Sequence, residues 1–505
     1  MPKRALGDDD MKRRDFCVSA LAAGITATLP DRPVFAIATA DVMDVSAVTS
    51  KGGQTTLEGV AVGELADSLR GELLMSGEQG YDHARAVWNG MIDRKPALIA
   101  RCEGASDVSH AMTFARERDL LVAVRGGGHS ISGKAVCEGG LMIDLSRMNS
   151  VRADLATRTV RADGGCLEGH IDHEAAMLHL ATTGGIVSHT GAGGLTLGGG
   201  FGRLCRKYGM ACDNFIGADI VTVDGQLRHV SDEENAELMW ALRGGGSNFG
   251  IVTALEYQLH QQDPMVVAGD IKFAWKDARD ALMFYAEHGN DMPDELNLNV
   301  ILVTAPDVGR IVSFEVVWCG DPAKADAALK QLRNVATPIA DTVAAVPYAK
   351  FQKRGDNSNR HGARLYMKSS FVNDFTPGLV DEVLDVHRES PIYAIFFMQS
   401  GGAVNRKAST DTAFPHRSAH SNMMLWNQWH DLESDAEREA RIAEVRSDWA
   451  RLEKFTHGYY VNLNEEDTAK THANYGENYQ RLVDVKNKYD PTNLMRMNAN
   501  IEPTG

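Results

Sequence analysis

The stretch Leu121-Val122-Ala123-Val124-Arg125-Gly126-Gly127-Gly128-His129-Ser130 decides the fold of this chain. An apolar strand runs directly into three glycines, and a histidine follows without a linker. Because glycine has no Cβ, the backbone N–H groups of such a run can close on an anion and form a nest for a pyrophosphate. The segment therefore predicts a dinucleotide cofactor held by the glycines, with the imidazole of His129 close to its reactive ring.

Two more glycine clusters follow, Gly198-Gly199-Gly200-Phe201-Gly202 and Gly244-Gly245-Gly246-Ser247-Asn248-Phe249-Gly250. None of the clusters continues as Gly-Lys-Ser/Thr, which excludes a P-loop. None reads Gly-x-Gly-x-x-Gly with an acidic residue about 20 positions on, which disfavours a Rossmann site. Fixed glycines cost backbone entropy, so three clusters within roughly 125 residues favour a binding role over chance turns.

Length and composition describe a globular protein with room for two domains. The chain has 505 residues, of which 44% are hydrophobic and 24% charged, and this size allows two sizeable cores. The net charge of −16 argues against nucleic acid or an anionic membrane surface as a partner.

The N-terminus has the pattern of an export signal. Lys12-Arg13-Arg14-Asp15-Phe16 precedes a short apolar run from Cys17 to Leu29, and small residues follow at Ala36 to Ala40. This predicts a twin-arginine signal over residues 1–40, with Met11 as an alternative start, and a periplasmic or secreted protein. The apolar run is too short to cross a bilayer permanently, so no stable membrane anchor is expected.

Metal and disulfide chemistry have little support in the sequence. The seven cysteines show no Cys-x-x-Cys pair, and the six that follow the signal are expected to be small buried hydrophobes, although one disulfide stays possible in an oxidising compartment. The crowded His170, His173 and His179 lie on a helix-like segment without a carboxylate or cysteine at ligand spacing. No metal site is predicted.

Periodicity predicts alternating strands and helices before residue 263 and a different texture after it. Strands are expected at 96–102, 120–124, 141–145 and 159–163, and a helix capped by Ser106 carries the apolar stripe Val108, Ala111, Met112 and Ala115. Beyond Asp263-Pro264, strands at 297–303, 312–317 and 392–399 and helices at 277–288, 322–335, 374–389 and 433–453 indicate an α+β domain.

These motifs, in this order, resemble a known family. Residues 95 to 260 are similar to the FAD-binding domain of the vanillyl-alcohol-oxidase superfamily, and within it to the berberine-bridge-enzyme-like flavin oxidases and their bacterial relatives. The matching segments are Arg125 to Ser130 with Ser132-Gly133, Asp144 to Ser146, Thr190 to Gly194, Leu197 to Gly202, Arg206 to Gly209, Asp213-Asn214 and Leu242 to Thr253. A second block, from Asn474-Tyr475-Gly476 through Tyr489 to Asn493 and Asn498 to Ile501, resembles the family's C-terminal segment.

The resemblance implies an α+β fold: a two-subdomain PCMH-type FAD-binding domain with an inserted substrate domain made of an antiparallel sheet and helices. We expect an N-terminal extension over 41–90, the FAD-binding domain over 91–262, the substrate domain over 263–464 and a return to the FAD-binding domain over 465–505.

The resemblance also implies FAD as the cofactor and a covalent bond from His129 to its 8α-methyl group. The other expected cofactor-binding residues are Arg125, Gly126, Gly127, Gly128, Ser130, Asp144, Thr190, Gly191, Gly193, Gly194, Thr196, Gly198, Gly199, Gly202, Ile251, Val252, Asn498 and Asn500. Many family members have a second link through a cysteine, but Val187 stands at that position here, so one link is expected. Cys205 is out of register for this bond and is expected to be structural.

For catalysis, the resemblance points to Tyr460 of Tyr459-Tyr460-Val461-Asn462 as the base, with Gln399 supplying or orienting a hydrogen bond to it. A free tyrosine titrates near pH ~10, so such a base needs a donor that stabilises its phenolate. The aromatic residue usual after Asn462 is Leu463 here. The segment around His416 and Arg417 is either structural or substrate-facing.

The expected function is an FAD-dependent oxidoreductase that removes hydride from a CH–OH donor (an alcohol, a sugar or a phenolic carbinol), with flavin N5 as the acceptor. Molecular oxygen is the expected final acceptor, giving hydrogen peroxide, although Thr190 neither opens nor blocks the usual oxygen path. Two alternatives stay open: an amine or alkaloid oxidase of the same family, and a flavin-binding protein without turnover.

Overall fold

The structure is a computed structural model that describes residues 43–305, 307–389, 394–429, 434–463 and 470–504. The expected export signal at 1–40 lies outside these residues. So do Ile392 and Glu433, the first residues of one expected strand and one expected helix.

The strands, in chain order, are β1 Val45–Val48, β2 Gln54–Leu57, β3 Glu72–Leu74, β4 Leu98–Arg101, β5 Val122–Arg125, β6 Leu141–Asp144, β7 Val151–Asp154, β8 Thr159–Asp163, β9 Leu180–Ala181, β10 Phe215–Thr222, β11 Leu227–Ser231, β12 Gly250–Gln258, β13 His260–Gln261, β14 Met265–Ala274, β15 Leu296–Ala305, β16 Gly309–Trp318, β17 Ala340–Asp341, β18 Ala344–Pro347, β19 Arg364–Val372, β20 Ala394–Gln399 and β21 Ser421–Trp429. The helices are α1 Gly59–Ser68, α2 Tyr81–Arg85, α3 Ala105–Glu117, α4 Glu168–Met177, α5 Ala192–Leu197, α6 Cys205–Tyr208, α7 Ala236–Leu242, α8 Ala278–His288, α9 Ala325–Arg333, α10 Tyr348–Gln352, α11 Pro377–Glu389, α12 Asp435–Leu452, α13 Thr471–Tyr475 and α14 Tyr479–Tyr489.

The first glycine cluster extends from a small, largely parallel sheet. Its strand order is β3-β4-β6-β5, with β4 and β5 both parallel to β6. Helix α3 buries the predicted stripe Val108, Ala111, Met112 and Ala115. Its N-cap is Gly104, which makes no side-chain cap hydrogen bond, so the prediction that Ser106 caps this helix is wrong. Ser106 lies one residue inside the helix, where its hydroxyl is past the capping position.

The other two glycine clusters lie around an antiparallel sheet of order β11-β10-β12-β8-β7. Its central strand β12 is buried along most of its length, as expected for a strand covered on both faces. Helices α7 and α14 contribute Trp240, Leu242 and Leu482 to the same apolar core.

The segment after residue 263 forms a large antiparallel sheet of order β17-β14-β16-β15-β20-β21-β19, with β18 also paired to β14. Because strand side chains alternate between faces, this sheet has two different surfaces. Phe397 and Met423 belong to the core that also contains residues of α8, α11 and α12. Phe396 and Met424, their neighbours in sequence, face the opposite side, together with Tyr460.

The C-terminal segment is fixed to the third glycine cluster by a buried lysine. Lys486 is 0% exposed, and its Nζ donates to the Asn248 carbonyl at 2.8 Å, to Asp490 Oδ2 at 2.7 Å and to the Met495 carbonyl at 3.0 Å. A buried ammonium is tolerated when its donors are all paired. This network therefore holds the chain after α14 against the loop that precedes β12.

The cysteines after the expected signal are free and buried, as predicted. Burial raises the pKa of the Cys205 thiol to about 11. Of the helices in the described ranges, none has the length and apolar content to cross a membrane.

Candidate active site

A cavity of about 700 Å³ lies between the glycine loops and the large sheet, within the range of roughly 300–1,000 Å³ typical of small-molecule sites. One wall consists of the first glycine cluster, the segment before and within α5, and the start of β12. The opposite wall consists of strands β14, β15, β16, β19, β20 and β21. The cavity is thus lined both by the part of the chain before residue 263 and by the large sheet that follows it.

Two glycine loops meet back to back at the cavity wall. A Cβ on Gly127 would lie 2.3 Å from the Gly191 nitrogen, and one on Gly191 would lie 2.4 Å from the Gly127 nitrogen. No L side chain fits at either position, because real Cβ contacts do not approach below about 3 Å. The absence of side chains here is what lets both backbones form one surface of the cavity.

Most of the expected cofactor-binding residues line this cavity. They are Gly126, Gly127, Gly128, His129, Ser130, Thr190, Gly191, Gly193, Gly194, Ile251, Val252 and Asn498. The structure places the others behind the wall: Arg125, Asp144, Thr196, Gly198, Gly199, Gly202 and Asn500 are not among the lining residues.

Arg125 and Asp144 hold the ends of adjacent strands. Asp144 is fully buried and accepts hydrogen bonds from the backbone nitrogen and hydroxyl of Ser146. The Arg125 guanidinium donates to the Ala84 carbonyl. Neither residue lines the cavity, and both support the glycine loop that does.

The glycines of the second cluster pack against protein, and only Phe201 of that cluster lines the cavity. A Cβ on Gly198 would lie 2.0 Å from Asn462 Oδ1, and one on Gly202 would lie 1.7 Å from the Gly184 carbonyl. The Thr196 hydroxyl is likewise occupied, 2.9 Å from the Tyr257 hydroxyl. Close backbone packing and a cofactor nest both require glycine, so the sequence by itself does not distinguish these two roles.

Tyr460 lies at the cavity with its oxygen in a cluster of donors. Gly200 and Phe201 donate their backbone N–H groups to the phenolic oxygen at 3.0 and 3.3 Å, and Asn462 Nδ2 donates at 3.0 Å. The side chain is 2% exposed. Burial raises the pKa of Tyr460 to about 12, and the three donors oppose that shift.

Gln399 does not contact Tyr460. Its Oε1 accepts from the Leu298 nitrogen at 2.6 Å, and its Nε2 donates to the Gly289 carbonyl at 2.7 Å. Both polar atoms of the Gln399 side chain are therefore paired on the helix-facing side of β20. Asn462, instead of Gln399, donates the side-chain hydrogen bond to Tyr460. The Tyr-x-Asn pattern includes Asn462, but the spacing does not show that the Asn462 side chain donates to the Tyr460 hydroxyl.

His129 is packed among aromatic rings that the sequence did not identify. Trp88 stacks on it with centroids 5.0 Å apart, and its Nε2 is hydrogen bonded to His189 Nδ1 at 2.7 Å. His361 completes a group of three imidazoles whose ligand-type nitrogens all lie within 4.8 Å of one another. Burial, and next the neighbouring His189, place the pKa of His129 well below its usual value, so the imidazole is neutral.

The far wall of the cavity is apolar at one end. Strands β19 to β21 contribute side chains that alternate toward the cavity, namely Leu365, Met367, Phe396, Met398, Met424 and Trp426. Flexible thioethers and aromatic faces suit flat apolar molecules.

The other end of the same wall is charged. Asp270 and Glu315, from β14 and β16, are paired with Arg354, and Glu315 is paired with Arg203 at 3.2 Å. Lys272 also lines this end. The pocket can thus hold an apolar body at one end and a polar group at the other.

Arg417 and His416 are structural. The Arg417 guanidinium donates to both carboxylate oxygens of Asp213 at 2.8 Å, and His416 stacks on Phe371. Neither lines the cavity.

The lining residues fit a flavin dinucleotide. Gly127 and Gly191 line the cavity without side chains, so their backbone offers a surface on which a phosphate could lie. Asn498 Oδ1 is buried at the cavity without a hydrogen-bond partner in the described chain, and a ligand N–H or O–H would satisfy it.

Comparison with known proteins agrees with this geometry. Residues 96–231 match the FAD binding domain family, and residues 459–502 match the berberine and berberine-like family. (R)-6-hydroxynicotine oxidase of Paenarthrobacter nicotinovorans is 31% identical over 87% of this chain and 98% of its own. The chain belongs to the berberine-bridge-enzyme-like family of FAD-linked oxidoreductases.

Solved structures of this family have the same fold. The crystal structure of 6-hydroxy-D-nicotine oxidase from Arthrobacter nicotinovorans superposes with a TM-score of 0.78 at 29% identity, over 86% of this chain and 98% of that one. A chitooligosaccharide oxidase gives 0.79 at 25% identity, over 88% and 100%. The predicted α+β architecture with a PCMH-type FAD-binding fold is confirmed, and the chain is an FAD-dependent oxidoreductase.

Proposed function

We propose that this protein oxidises an apolar, aromatic CH–OH donor, a phenolic carbinol rather than a sugar, and passes the electrons to molecular oxygen with release of hydrogen peroxide. The observation that carries the proposal is the continuous cavity between the glycine loops with His129 and the wall of Met398, Met424 and Trp426. Bound FAD would supply the hydride acceptor, its N5 atom. The chain's own residues would bind the flavin and the donor and hold the donor's hydroxyl near a base.

The glycine loops and His129 would hold the flavin. The neutral His129 imidazole has the lone pair that a covalent bond to the 8α-methyl group needs. Val187 lines the cavity where many relatives have a second linking cysteine, and a valine side chain has no nucleophile. We therefore propose a single covalent link.

The donor would lie against the apolar end of the far wall, with its hydroxyl near Tyr460. Sugars require many hydrogen bonds, and Leu365, Met367 and Phe396 offer none. The same end of the wall suits an aromatic ring. The donor's polar substituent would point toward Lys272 and Arg354.

A second candidate, oxidation of a CH–NH donor that carries an aromatic ring, is favoured by the high pKa of Tyr460. Burial raises that pKa to about 12, so the phenol stays protonated near neutrality and is a weak base there. An uncharged amine can release hydride without a strong base. A relative, (R)-6-hydroxynicotine oxidase, has an amine-containing compound in its name.

The location and the domain limits follow the sequence. The Arg13-Arg14 pattern supports export through the twin-arginine route to the periplasm or beyond. We assign 91–262 and 465–505 to FAD binding and 263–464 to the donor pocket.

Two measurements on one preparation of purified protein test the proposal. The protein is precipitated with acid, and yellow colour kept in the pellet reports covalent flavin. The native enzyme is then mixed without air with aromatic carbinols, CH–NH donors that carry an aromatic ring and oligosaccharides, and loss of flavin absorbance is followed. Peroxide on readmission of air identifies oxygen as the acceptor.

The outcomes separate the candidates. Bleaching by carbinols supports the proposal, and bleaching by amines alone moves the assignment to the second candidate. For a carbinol, kcat should rise about tenfold per pH unit below the pKa of Tyr460 if its phenolate is the base. Bound flavin that no donor reduces would favour a binding protein without turnover.

A further inference from the structure

We propose that His189 is a positioning residue for flavin attachment: it fixes the tautomer of His129 and takes up the proton that His129 loses when the bond forms, with His361 passing that proton to solvent. The inference rests on the proposed covalent link. It concerns residues that no motif in the sequence identified.

The three imidazoles come from separate parts of the chain. His129 follows β5, His189 lies before α5, and His361 lies before β19. The ring centroids are 4.8 Å apart for His129 and His189 and 5.1 Å apart for His189 and His361. Three loops thus meet at one point beside the cavity, where His129 lines the wall.

The hydrogen bond decides which nitrogen of His129 can react. Its Nε2 is 2.7 Å from His189 Nδ1, so one of the two nitrogens carries the shared hydrogen. If His129 Nε2 donates it, Nδ1 of His129 keeps a free lone pair. Nδ1 is then the nucleophile, and the stack with Trp88 at an interplanar angle of 15° limits rotation of the ring.

His189 has an unexplained polar atom. Its Nε2 is buried and has no hydrogen-bond partner in the part of the chain that the structure describes. Leaving a buried polar atom unpaired is unfavourable, so a functional reason is expected. His361 is the exposed member of the group, and its ring centroid lies 5.1 Å from that of His189.

The attachment step balances with oxygen as the oxidant. The bond that forms joins His129 Nδ1 to the 8α carbon, and a C–H bond of that methyl group breaks. The electron pair of the C–H bond remains on the isoalloxazine until dioxygen takes it up. The methyl proton and the His129 Nε2 proton, which passes to His189 Nδ1, account for the two hydrogens of the hydrogen peroxide.

A shared metal ion fits this geometry less well. Two imidazole nitrogens on one tetrahedral ion at about 2.0–2.1 Å are held more than about 3 Å apart, whereas His129 and His189 are at hydrogen-bond distance. The N–H···N bond is the arrangement that the structure contains.

The test compares the covalent share of bound flavin in purified variants. His189→Ala should lower the rate of covalent attachment about 10²-fold while flavin still binds. His189→Asn keeps an acceptor for the His129 N–H and should recover part of the rate, and free imidazole should restore attachment in His189→Ala. His361→Ala should show a smaller defect, and His173→Ala, an exposed histidine, should match the wild type.

Several results would overturn the inference. Attachment in His189→Ala and His189→Asn at the wild-type rate removes His189 from the process. Stoichiometric zinc in the purified wild type that is lost in both His189→Ala and His361→Ala assigns the three histidines to a metal instead. If His189→Ala does not fold, His189→Asn decides, since it preserves polarity and hydrogen bonding. A wild type without covalent flavin refutes the proposed link itself, which is a different result.

Discussion

The backbone nitrogen of Gly200 donates to the phenolic oxygen of Tyr460 at 3.0 Å, across a sequence separation of 260 residues. This contact joins the second glycine cluster to the Tyr459-Tyr460-Val461-Asn462 segment. The glycines that resemble a cofactor loop thus serve the candidate base, because their small size lets a backbone N–H reach a buried side-chain oxygen.

Replacing Tyr460 with phenylalanine should reduce kcat for a carbinol about 10²–10⁴-fold. It also leaves the amides of Gly200 and Phe201 without their acceptor, which should lower the free energy of unfolding by about 1–3 kcal/mol. Steady-state kinetics and thermal melting measure the two effects, and the covalent flavin content should stay unchanged.

Tyr459 provides the matched control for that variant. Its hydroxyl donates to Glu453 Oε1 at 2.7 Å, outside the cavity wall. Tyr459→Phe should therefore keep kcat within about twofold of the wild type. Equal kinetics in the two variants would exclude Tyr460 from catalysis.

Gly127→Ala should abolish flavin binding. The added Cβ would lie 2.3 Å from the Gly191 nitrogen, so the two loops must separate, and overpacking of this kind costs about 1–3 kcal/mol or more. The flavin-to-protein absorbance ratio after purification measures the loss. Gly378→Ala, where the nearest atom to the new Cβ is 3.6 Å away, should retain full flavin and shows that an added methyl group is not harmful by itself.

Local patterns predicted most of the fold. The stripe Val108, Ala111, Met112 and Ala115 lies on one buried face of α3 as its 3.6-residue period requires. Expected strands such as 159–163 match β8. Period and turn residues are properties of adjacent positions, and they can be recognised without knowledge of the tertiary structure.

The site could be predicted only in part, because its remaining residues come together through the tertiary fold. His189 and His361 are 172 positions apart, and nothing in either local sequence marks them as partners of His129. The prediction that Gln399 bonds to Tyr460 is wrong for a related reason. Adjacent residues on a strand face opposite sides, and Gln399 points away from the cavity that Met398 lines.

Met424→Ala should raise KM for an aromatic donor about tenfold or more, because contacts with part of an apolar wall are worth roughly 1–3 kcal/mol. Met424 lines the cavity, whereas Met423, its neighbour on β21, belongs to the core on the opposite face. Met423→Ala is therefore the control: it should lower the melting temperature and leave KM unchanged. A KM that rises equally in both variants would refute the assignment of this wall to the donor.

The stability of the protein should fall as pH rises, because of Glu168. This carboxyl group is 4% exposed, and burial, with the neighbouring Asp172, raises its pKa to about 8 from 4.5. A raised folded-state pKa means that the folded chain holds the proton longer than the unfolded chain. The stability from the neutral carboxyl is thus complete below about pH 4 and is lost progressively up to about pH 8.

Glu168→Gln removes this titration and should make the pH profile shallower, while Asp172, whose pKa burial raises to about 7, still titrates in the same range. The wild type should lose about 2–4 kcal/mol of unfolding free energy between about pH 5 and about pH 8 that the variant retains. Melting temperatures measured at one scan rate across that range test this, since large proteins often unfold irreversibly. Glu64→Gln, at an exposed glutamate, should follow the wild-type profile. A Glu168→Gln profile as steep as that of the wild type would mean that the Glu168 carboxyl group is already ionised in the folded protein across this pH range.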